Sequence, residues 1–347
     1  MEEYIAYLEQ IWDSNQLTNN GALVQELEQK LKEYLGVSHL FFINNGTTAL
    51  QIAIKASGLH DEVITTPFSY VATTSSLVWE GCQPVFVDID PHTLCIDAEL
   101  IEAAITKRTT GIVATHVYGI PCDVEKIGAI AQKYGLKVLY DAAHTFGGRY
   151  QGKSVVSYGD ISALSFHATK LFHTGEGGAI ITEDEELAHR ISYMRNFGHK
   201  GKEDFWGLGI NGKNTEFHAA MGLCNLPYIG EIIASREEIC GWYDEFLSAT
   251  ILTRPILPEG CQYNFAYYPV IFQSESELIQ SQDQLNENNI FPRRYFYPSL
   301  SNLPYKNDQH MPISEDISSR ILCLPLFPGL MIDVVELISQ IIRSCLK

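Results

Sequence analysis

A mostly parallel α/β sheet covered by helices on both faces, followed by a smaller C-terminal α/β domain, is the fold class this sequence predicts. Three observations carry it. Between residues 39 and 182, apolar strand-like runs alternate with amphipathic helical patterns. Those strands are nearly continuous in hydrophobicity, as strands buried on both faces are. Beyond residue 249 the composition shifts towards aromatic segments, in a stretch that carries Pro255 and Pro258. The boundary is therefore drawn there, giving a large domain over 1–249 with an N-terminal helical segment and a small one over 250–347.

The elements follow in order. Glu2 to Trp12 is amphipathic, and Ala22 to Leu35 sets Leu23, Leu27, Leu31 and Leu35 on one apolar stripe stopped by Gly36. His39 to Asn44 reads as a strand that runs into Asn45-Gly46-Thr47-Thr48 and a helix from Ala49 to Ala56. Val63 to Phe68 is a strand, Tyr70 to Thr73 leads into a helix to Trp79, and Pro84 to Ile89 is a strand. Asp97 can cap a helix over 98–105, and Ile112 to His116 is a strand. Asp123 can cap a helix with Val124, Ile127, Ile130 and Ala131 on one face, stopped by Gly135. Leu136 to Tyr140, Ile161 to Phe166 and Ala179 to Thr182 are further strands. Glu185 to Phe197 is helical, 198–214 is polar and glycine-rich, and 215–249 is a long helix bent or broken at Pro227. In the second domain Tyr263 to Phe272 is an aromatic strand, Glu275 to Asn288 a helix, and Pro292 to Pro298 a loop or short strand. Leu322 to Phe327 is apolar, and Val334 to Leu346 is a closing amphipathic helix.

Composition narrows the function. The 347 residues include 42 acidic and 24 basic side chains, a formal net charge of −18. Such a chain is repelled by nucleic acid and by anionic membranes. No apolar run predicts a transmembrane helix, and the start MEEYIAYLEQ has no basic-then-apolar leader pattern. Eight scattered cysteines without a C-x-x-C pair fit reduced thiols, so a cytoplasmic protein is expected. His167 and His173 have a spacing that suits neither one helical face nor a strand pair, and no carboxylate cluster accompanies them, so no metal site is expected.

In sheets of this class, ligands bind beyond the carboxyl ends of the strands. Four candidate groups follow strands there: Gly46-Thr47, Tyr70, Asp141 and Lys170. An apolar strand, a glycine turn, hydroxyl residues and a helix start make a phosphate cradle, although the same pattern is also an ordinary turn with Thr47 as helix cap. Ser165 and Thr47 could donate to a phosphate that Gly46 lets the backbone approach. A carboxylate such as Asp141 at a buried strand exit needs a cationic partner, and the pyridinium nitrogen of pyridoxal 5′-phosphate is one. A helix cap or a backbone hydrogen bond is the other role open to Asp141. Tyr70 could stack on the ring or pack in the core. Burial of Lys170 would favour its neutral amine, which can hold the cofactor aldehyde and then move protons.

The runs NNGTTAL (44–50), FSYVATT (68–74), PVFVDID (84–90), YDAAHTFGG (140–148), SFHATKLFHTGEGG (165–178) and GINGKNTEFHAAMG (209–222) carry a resemblance. With PRRYFYPSL (292–300) and LPLFPG (324–329), nearly the whole chain is similar to the DegT/StrS-type nucleotide-sugar aminotransferases. These are fold-type-I pyridoxal 5′-phosphate enzymes. The resemblance implies that Asp141 pairs with the pyridine nitrogen, that His144 lies near the ring hydroxyl, and that Lys170 holds the cofactor covalently. It also implies that Gly46, Thr47 and Ser165 bind phosphate, that Tyr70 stacks on the ring, and that Asn211 reaches the phosphate of the neighbouring subunit of a homodimer. Two departures stand out. Asn45 replaces a frequent serine, and Lys213-Asn214 replaces an Arg-Met or Arg-Leu pair. A branch of the family carries histidine in place of the lysine and dehydrates its substrate, and Lys170 sets this chain outside it.

Members acting on a 3-keto sugar commonly show F-Y-P-G-K-N-L-G-A at the lysine, and those acting on a 4-keto sugar F-H-x-T-K followed by G-E-G-G. The run FHATKLFHTGEGG is of the second kind. The resemblance implies transfer of an amino group from L-glutamate to a 4-keto-6-deoxy nucleotide sugar, with dTDP-4-keto-6-deoxyglucose foremost, for bacterial surface polysaccharide. A 3-keto or UDP-linked sugar is the alternative. Arg293, Arg294, Tyr297 and His310 are substrate-side candidates, and the two arginines are open to surface or interface ion pairs as well. A non-catalytic regulator on this fold would need a binding module, and no basic helix-turn-helix or long tail is present.

Overall fold

Seven strands, each short and apolar, form the centre of the molecule, whose computed structural model describes residues 1–305 and 309–346. They are β1 His39–Ile43, β2 Glu62–Thr65, β3 Gln83–Phe86, β4 Thr109–Thr115, β5 Lys137–Asp141, β6 Ile161–Ser165 and β7 Gly178–Thr182. Their order is β1-β7-β6-β5-β4-β2-β3. The pairs β2–β3, β2–β4, β4–β5 and β5–β6 are parallel, whereas β7 runs antiparallel to both β1 and β6. The exits of β1, β2, β4, β5 and β6 therefore share one edge, where a parallel sheet presents its ligand site.

Successive strand residues feed opposite faces. Ile64, Ile112 and Val138 pack on one side with Ile101 of α5 (Ala98–Ala104) and Ile127 of α6 (Val124–Tyr134). Val63, Val113 and Leu139 pack on the other with Ile52 of α3 (Gly46–Ala56) and Ile191 of α7 (Glu185–Met194). The leucine stripe of α2 (Ala22–Leu35) is buried against α8 (Glu216–Asn225), each such side chain contributing about 1.5–3 kcal/mol. A 3₁₀ turn at Leu226–Tyr228, holding Pro227, divides α8 from α9 (Ile229–Leu247). Ile239, Cys240, Tyr243 and Leu247 of α9 share a core with Tyr268, Val270, Leu322, Leu324 and Ile338 from the C-terminal part of the chain.

Several elements differ from the sequence expectation. The helix expected from Ala49 begins at Gly46, because Asn45 rather than Thr47 caps it, with Oδ1 accepting from Thr48 N at 2.8 Å. β2 stops at Thr65, two residues before Pro67, whose carbonyl accepts from Leu300 N. Only Tyr268–Ile271 of the aromatic run is a strand, paired antiparallel with Ile321–Leu324, and Tyr263 to Tyr267 is irregular. A helix at Pro312–Arg320 has no clear apolar period; Asp88, at the far end of the sequence, accepts from its Ile313 and Ser314 amides at 2.9 Å each. Among the described residues no helix is long and apolar enough to cross a membrane.

Candidate active site

A cavity of about 260 Å³ opens at the shared strand exits. Gly46, Thr47, Tyr70, Asp141, His144, Ser165 and Lys170, all singled out in the sequence, line it. Each is delivered by a local device. β1 ends in the Asn45 cap, which leaves the first amides of α3 without intrahelical acceptors, as at any helix start. A Cβ on Gly46 would lie 2.9 Å from Ser165 Cβ, so the turn and the β6 exit approach as closely as they do only with glycine there. β5 ends on Asp141, and β6 ends on Ser165, five residues before Lys170.

Asp141 is 5% exposed. Its Oδ2 accepts from Thr73 Oγ1 at 2.6 Å and its Oδ1 from Ala143 N at 3.1 Å. Among the described residues no cation lies within ion-pair distance of it, and burial raises its pKa against the opposing pull of Thr73, the Ala143 amide and the Lys170 charge. Such a carboxylate suits a cationic ligand. Lys170 is partly buried at the cavity wall, and burial lowers its ammonium to about 8 against the opposing pull of Asp141. The neutral amine is thus far more accessible near neutral pH than that of an ordinary lysine. His144 Nδ1 accepts from Tyr118 N at 3.1 Å, which puts the proton of the neutral ring on Nε2. Burial first, and the Lys170 charge second, hold that ring neutral by pulling its pKa well down.

The other candidates lie at the cavity mouth or outside it. Tyr70 is 57% exposed, which rules out core packing and leaves its ring at the cavity mouth. Asn211 is exposed, its carbonyl accepts from Asn44 Nδ2 at 3.4 Å, and it does not line this chain's cavity. Nor do Arg293, Arg294, Tyr297 and His310. Arg294 Nη2 donates to Glu275 Oε1 at 2.8 Å and to Ser319 O at 2.7 Å, with the guanidinium 3.6 Å from the Tyr297 ring centre. His310 pairs with Glu315 at 2.9 Å. The two departures from the motif have structural duties as well. Lys213 Nζ donates to Asn196 Oδ1 at 2.8 Å, and buried Asn214 donates to Ile43 O and Glu176 O.

Sequence reasoning missed the aromatic wall of Tyr267, Tyr295 and Phe296, and the Thr73 hydroxyl. Thr73 carried a signal, since it stands three residues after Tyr70 on the first turn of the helix Val71–Trp79. Tyr295 and Phe296 stand within the run PRRYFYPSL beside the substrate candidates, whereas Tyr267 carried no signal, because the wall is assembled from distant segments.

The whole chain, residues 1–343, matches the DegT/DnrJ/EryC1/StrS aminotransferase family. The chain belongs to that family. It is 44% identical to a dTDP-4-amino-4,6-dideoxy-D-glucose transaminase of Shigella dysenteriae, covering 99% of this chain and 96% of the relative. It is 34% identical to a GDP-perosamine synthase of Caulobacter vibrioides, covering 93% and 90%. Among solved structures, DesI in the presence of its TDP-sugar product superposes with a TM-score of 0.93 at 32% identity, covering 99% and 90%. As a member of the DegT/DnrJ/EryC1/StrS family the chain is a sugar aminotransferase that uses pyridoxal 5′-phosphate. Its residues fit that group: an uncompensated buried carboxylate, a lysine with a readily neutralised amine, and a helix start that Gly46 brings against Ser165.

Proposed function

We propose that the protein transfers the amino group of L-glutamate to the C4 ketone of dTDP-4-keto-6-deoxyglucose, giving dTDP-4-amino-4,6-dideoxyglucose for a bacterial surface polysaccharide. The observation that carries this reading is the meeting of Lys170 and Asp141 in one cavity, on a chain 44% identical over nearly its full length to a transaminase of that product. Bound pyridoxal 5′-phosphate supplies an aldehyde that takes up the amino group and a ring that withdraws electrons. Asp141 holds the proton on the ring nitrogen, and Thr73 orients Asp141. The amides at the start of α3, with Ser165 and Thr47, bind the phosphate. Tyr70, at the cavity mouth, would cover the cofactor ring, and His144 would offer its Nε2 proton to the ring hydroxyl. Lys170 Nζ moves a proton to and from the substrate carbon.

We also read the protein as a cytoplasmic homodimer of two-domain subunits divided near residue 249, in which Asn211 completes the neighbouring subunit's phosphate site. The exposure of Asn211 outside its own chain's cavity supports this. Sedimentation analysis tests it, and a fully active monomer would end the shared-site reading.

The decisive assay incubates the protein with pyridoxal 5′-phosphate, L-glutamate and dTDP-4-keto-6-deoxyglucose. NMR of the product should show an amine at C4. Borohydride should fix the cofactor to the peptide containing Lys170. Turnover of 3-keto or UDP-linked sugars in preference to the dTDP 4-keto sugar would replace this substrate with the alternative.

A further inference from the structure

Lys170 has one polar neighbour that neither its own motif nor any other motif in the sequence points to. Lys170 Nζ donates to Tyr267 Oη at 3.4 Å, and among the described residues that phenol oxygen has no other hydrogen-bond partner. Tyr267 lines the cavity, with its ring 4.6 Å from the His144 ring centre and 5.9 Å from that of Tyr295. The segment that carries it is braced on three sides. Asn264 Nδ2 donates to His144 O at 2.8 Å and to Phe146 O at 3.0 Å. Arg236 Nη1 donates to Ala266 O at 3.0 Å. Tyr263 Oη lies 2.9 Å from Tyr118 O and 3.1 Å from Tyr267 O. A phenol held this firmly, with a single polar contact, is placed to serve the group it touches.

We propose that Tyr267 is a positioning residue for the amine of Lys170, its phenol holding Nζ in line with the cavity in both protonation states of that amine. Towards the ammonium form the phenol oxygen accepts, and towards the neutral amine the phenol O–H donates. The phenol can take both roles because burial keeps it protonated, raising its pKa far above the ordinary value. Asp141 and His144 are the other titratable groups that face Lys170, while Tyr118, Tyr263, Tyr295, Arg236 and Cys323 surround Tyr267. Of the two contacts, the one with the ammonium is charge-assisted and the stronger. Its loss should therefore make Lys170 easier to deprotonate.

Tyr267→Phe keeps the ring packing and removes only the oxygen. In the cofactor-free full-length protein, competitive labelling with acetic anhydride, read by mass spectrometry of the Lys170 peptide, should show a labelling midpoint below that of wild type. Tyr263→Phe, which loosens the same segment without touching Lys170, should leave that midpoint in place. In the loaded enzyme, Tyr267→Phe should lower kcat about ten- to a hundredfold, the size of one lost hydrogen bond to a charged group. KM for both substrates should stay within about twofold, and the kinetic isotope effect with 2-deuterio-glutamate should rise as proton movement becomes slower. An unmoved midpoint in correctly folded Tyr267→Phe would overturn the proposal, as would an equal shift in Tyr263→Phe. The kinetic arm rests on the aminotransferase reading. The labelling arm uses neither cofactor nor substrate, so it decides about Tyr267 even if the sugar assigned above is wrong.

Discussion

The cavity has two unlike halves. The polar half stands on the sheet, where near neighbours in the chain hold two groups, Asn45 by Thr48 and the Lys170 amide by His167 O, while Asp141 is held both by nearby Ala143 and by the more distant Thr73. The aromatic half comes from the segments 263–267 and 295–296, which reach the sheet through long-range bonds. Asn264 binds the carbonyls of His144 and Phe146, and the Tyr118 hydroxyl binds Tyr295 O. Electrostatics dominates the first half, with a buried carboxylate and a lysine whose charge burial disfavours. Packing dominates the second, where Phe296 stacks at 1° on Tyr118 and at 6° on His144. A reaction centre that carries charge is thus set by hydrogen bonds within the large sheet unit, while the shape around it is left to segments from the C-terminal part of the chain.

The sharpest way to break this contrast is Asp141→Asn. It keeps the shape and removes the charge, so turnover should fall by several powers of ten, each worth about 1.4 kcal/mol of transition-state stabilisation. Stability of the cofactor-free protein should move the other way. The folded-state pKa of Asp141 is raised above the unfolded value, so the native state favours the protonated form. Its contribution to stability is therefore greatest below the ordinary carboxylate range, is lost as pH climbs from that range through the folded value, and stays unfavourable at neutral pH. The asparagine variant should accordingly melt higher than wild type at pH 7, with the gain vanishing under acid conditions. Near-normal turnover would show that Asp141 is only a structural acceptor for Thr73.

The second test attacks the other half. Phe296 is buried and packs edge-on to Phe68 with ring centres 5.6 Å apart, in addition to its stacking partners. Phe296→Ala should cost about 3 kcal/mol of stability through the cavity it leaves. Its effect on the reaction should appear mainly as a higher KM for the sugar, because no charged group is lost. A fall in kcat as large as that from Asp141→Asn, with KM unchanged, would erase the distinction between the two halves.

The same division explains what could be read in the sequence. The strand–helix alternation and the four strand exits were legible because buried parallel strands are uniformly apolar and their exits carry glycine, hydroxyl or carboxylate residues. Gly46, Tyr70, Asp141 and Lys170 converge on one cavity for that reason. The helix 312–320 was not legible, since a polar stretch becomes helical there under a cap supplied by Asp88, more than two hundred residues upstream. Tyr267 was hidden for the same reason. It sat in what read as a continuous aromatic strand, and only the bonds from Asn264 and Arg236 turn it towards Lys170. Asn45 was a near miss, because a cap two residues before the expected Thr47 leaves the turn intact and changes which side chain is occupied.

The smallest effect is expected at Arg294, and it tests whether the arginine pair belongs to either half. Arg294 is held by Glu275 and by Ser319 O, and it lies over the Tyr297 ring. A partly exposed ion pair contributes about 0.2–1 kcal/mol and a cation–π contact about as much, so Arg294→Ala should lower stability by about 1 kcal/mol. With its guanidinium engaged through Nη2 away from the cavity, kcat/KM should change by less than about threefold. Arg293 is the contrast. It is exposed, and among the described residues its side chain forms no hydrogen bond or ion pair, while its charge acts on Tyr295 of the aromatic wall. Arg293→Ala should therefore leave stability nearly unchanged, and any loss should appear in KM for the nucleotide sugar, read from initial rates over a range of ionic strength. A large loss of kcat/KM in Arg294→Ala with an intact fold would put that guanidinium on the substrate and reverse the order of the pair.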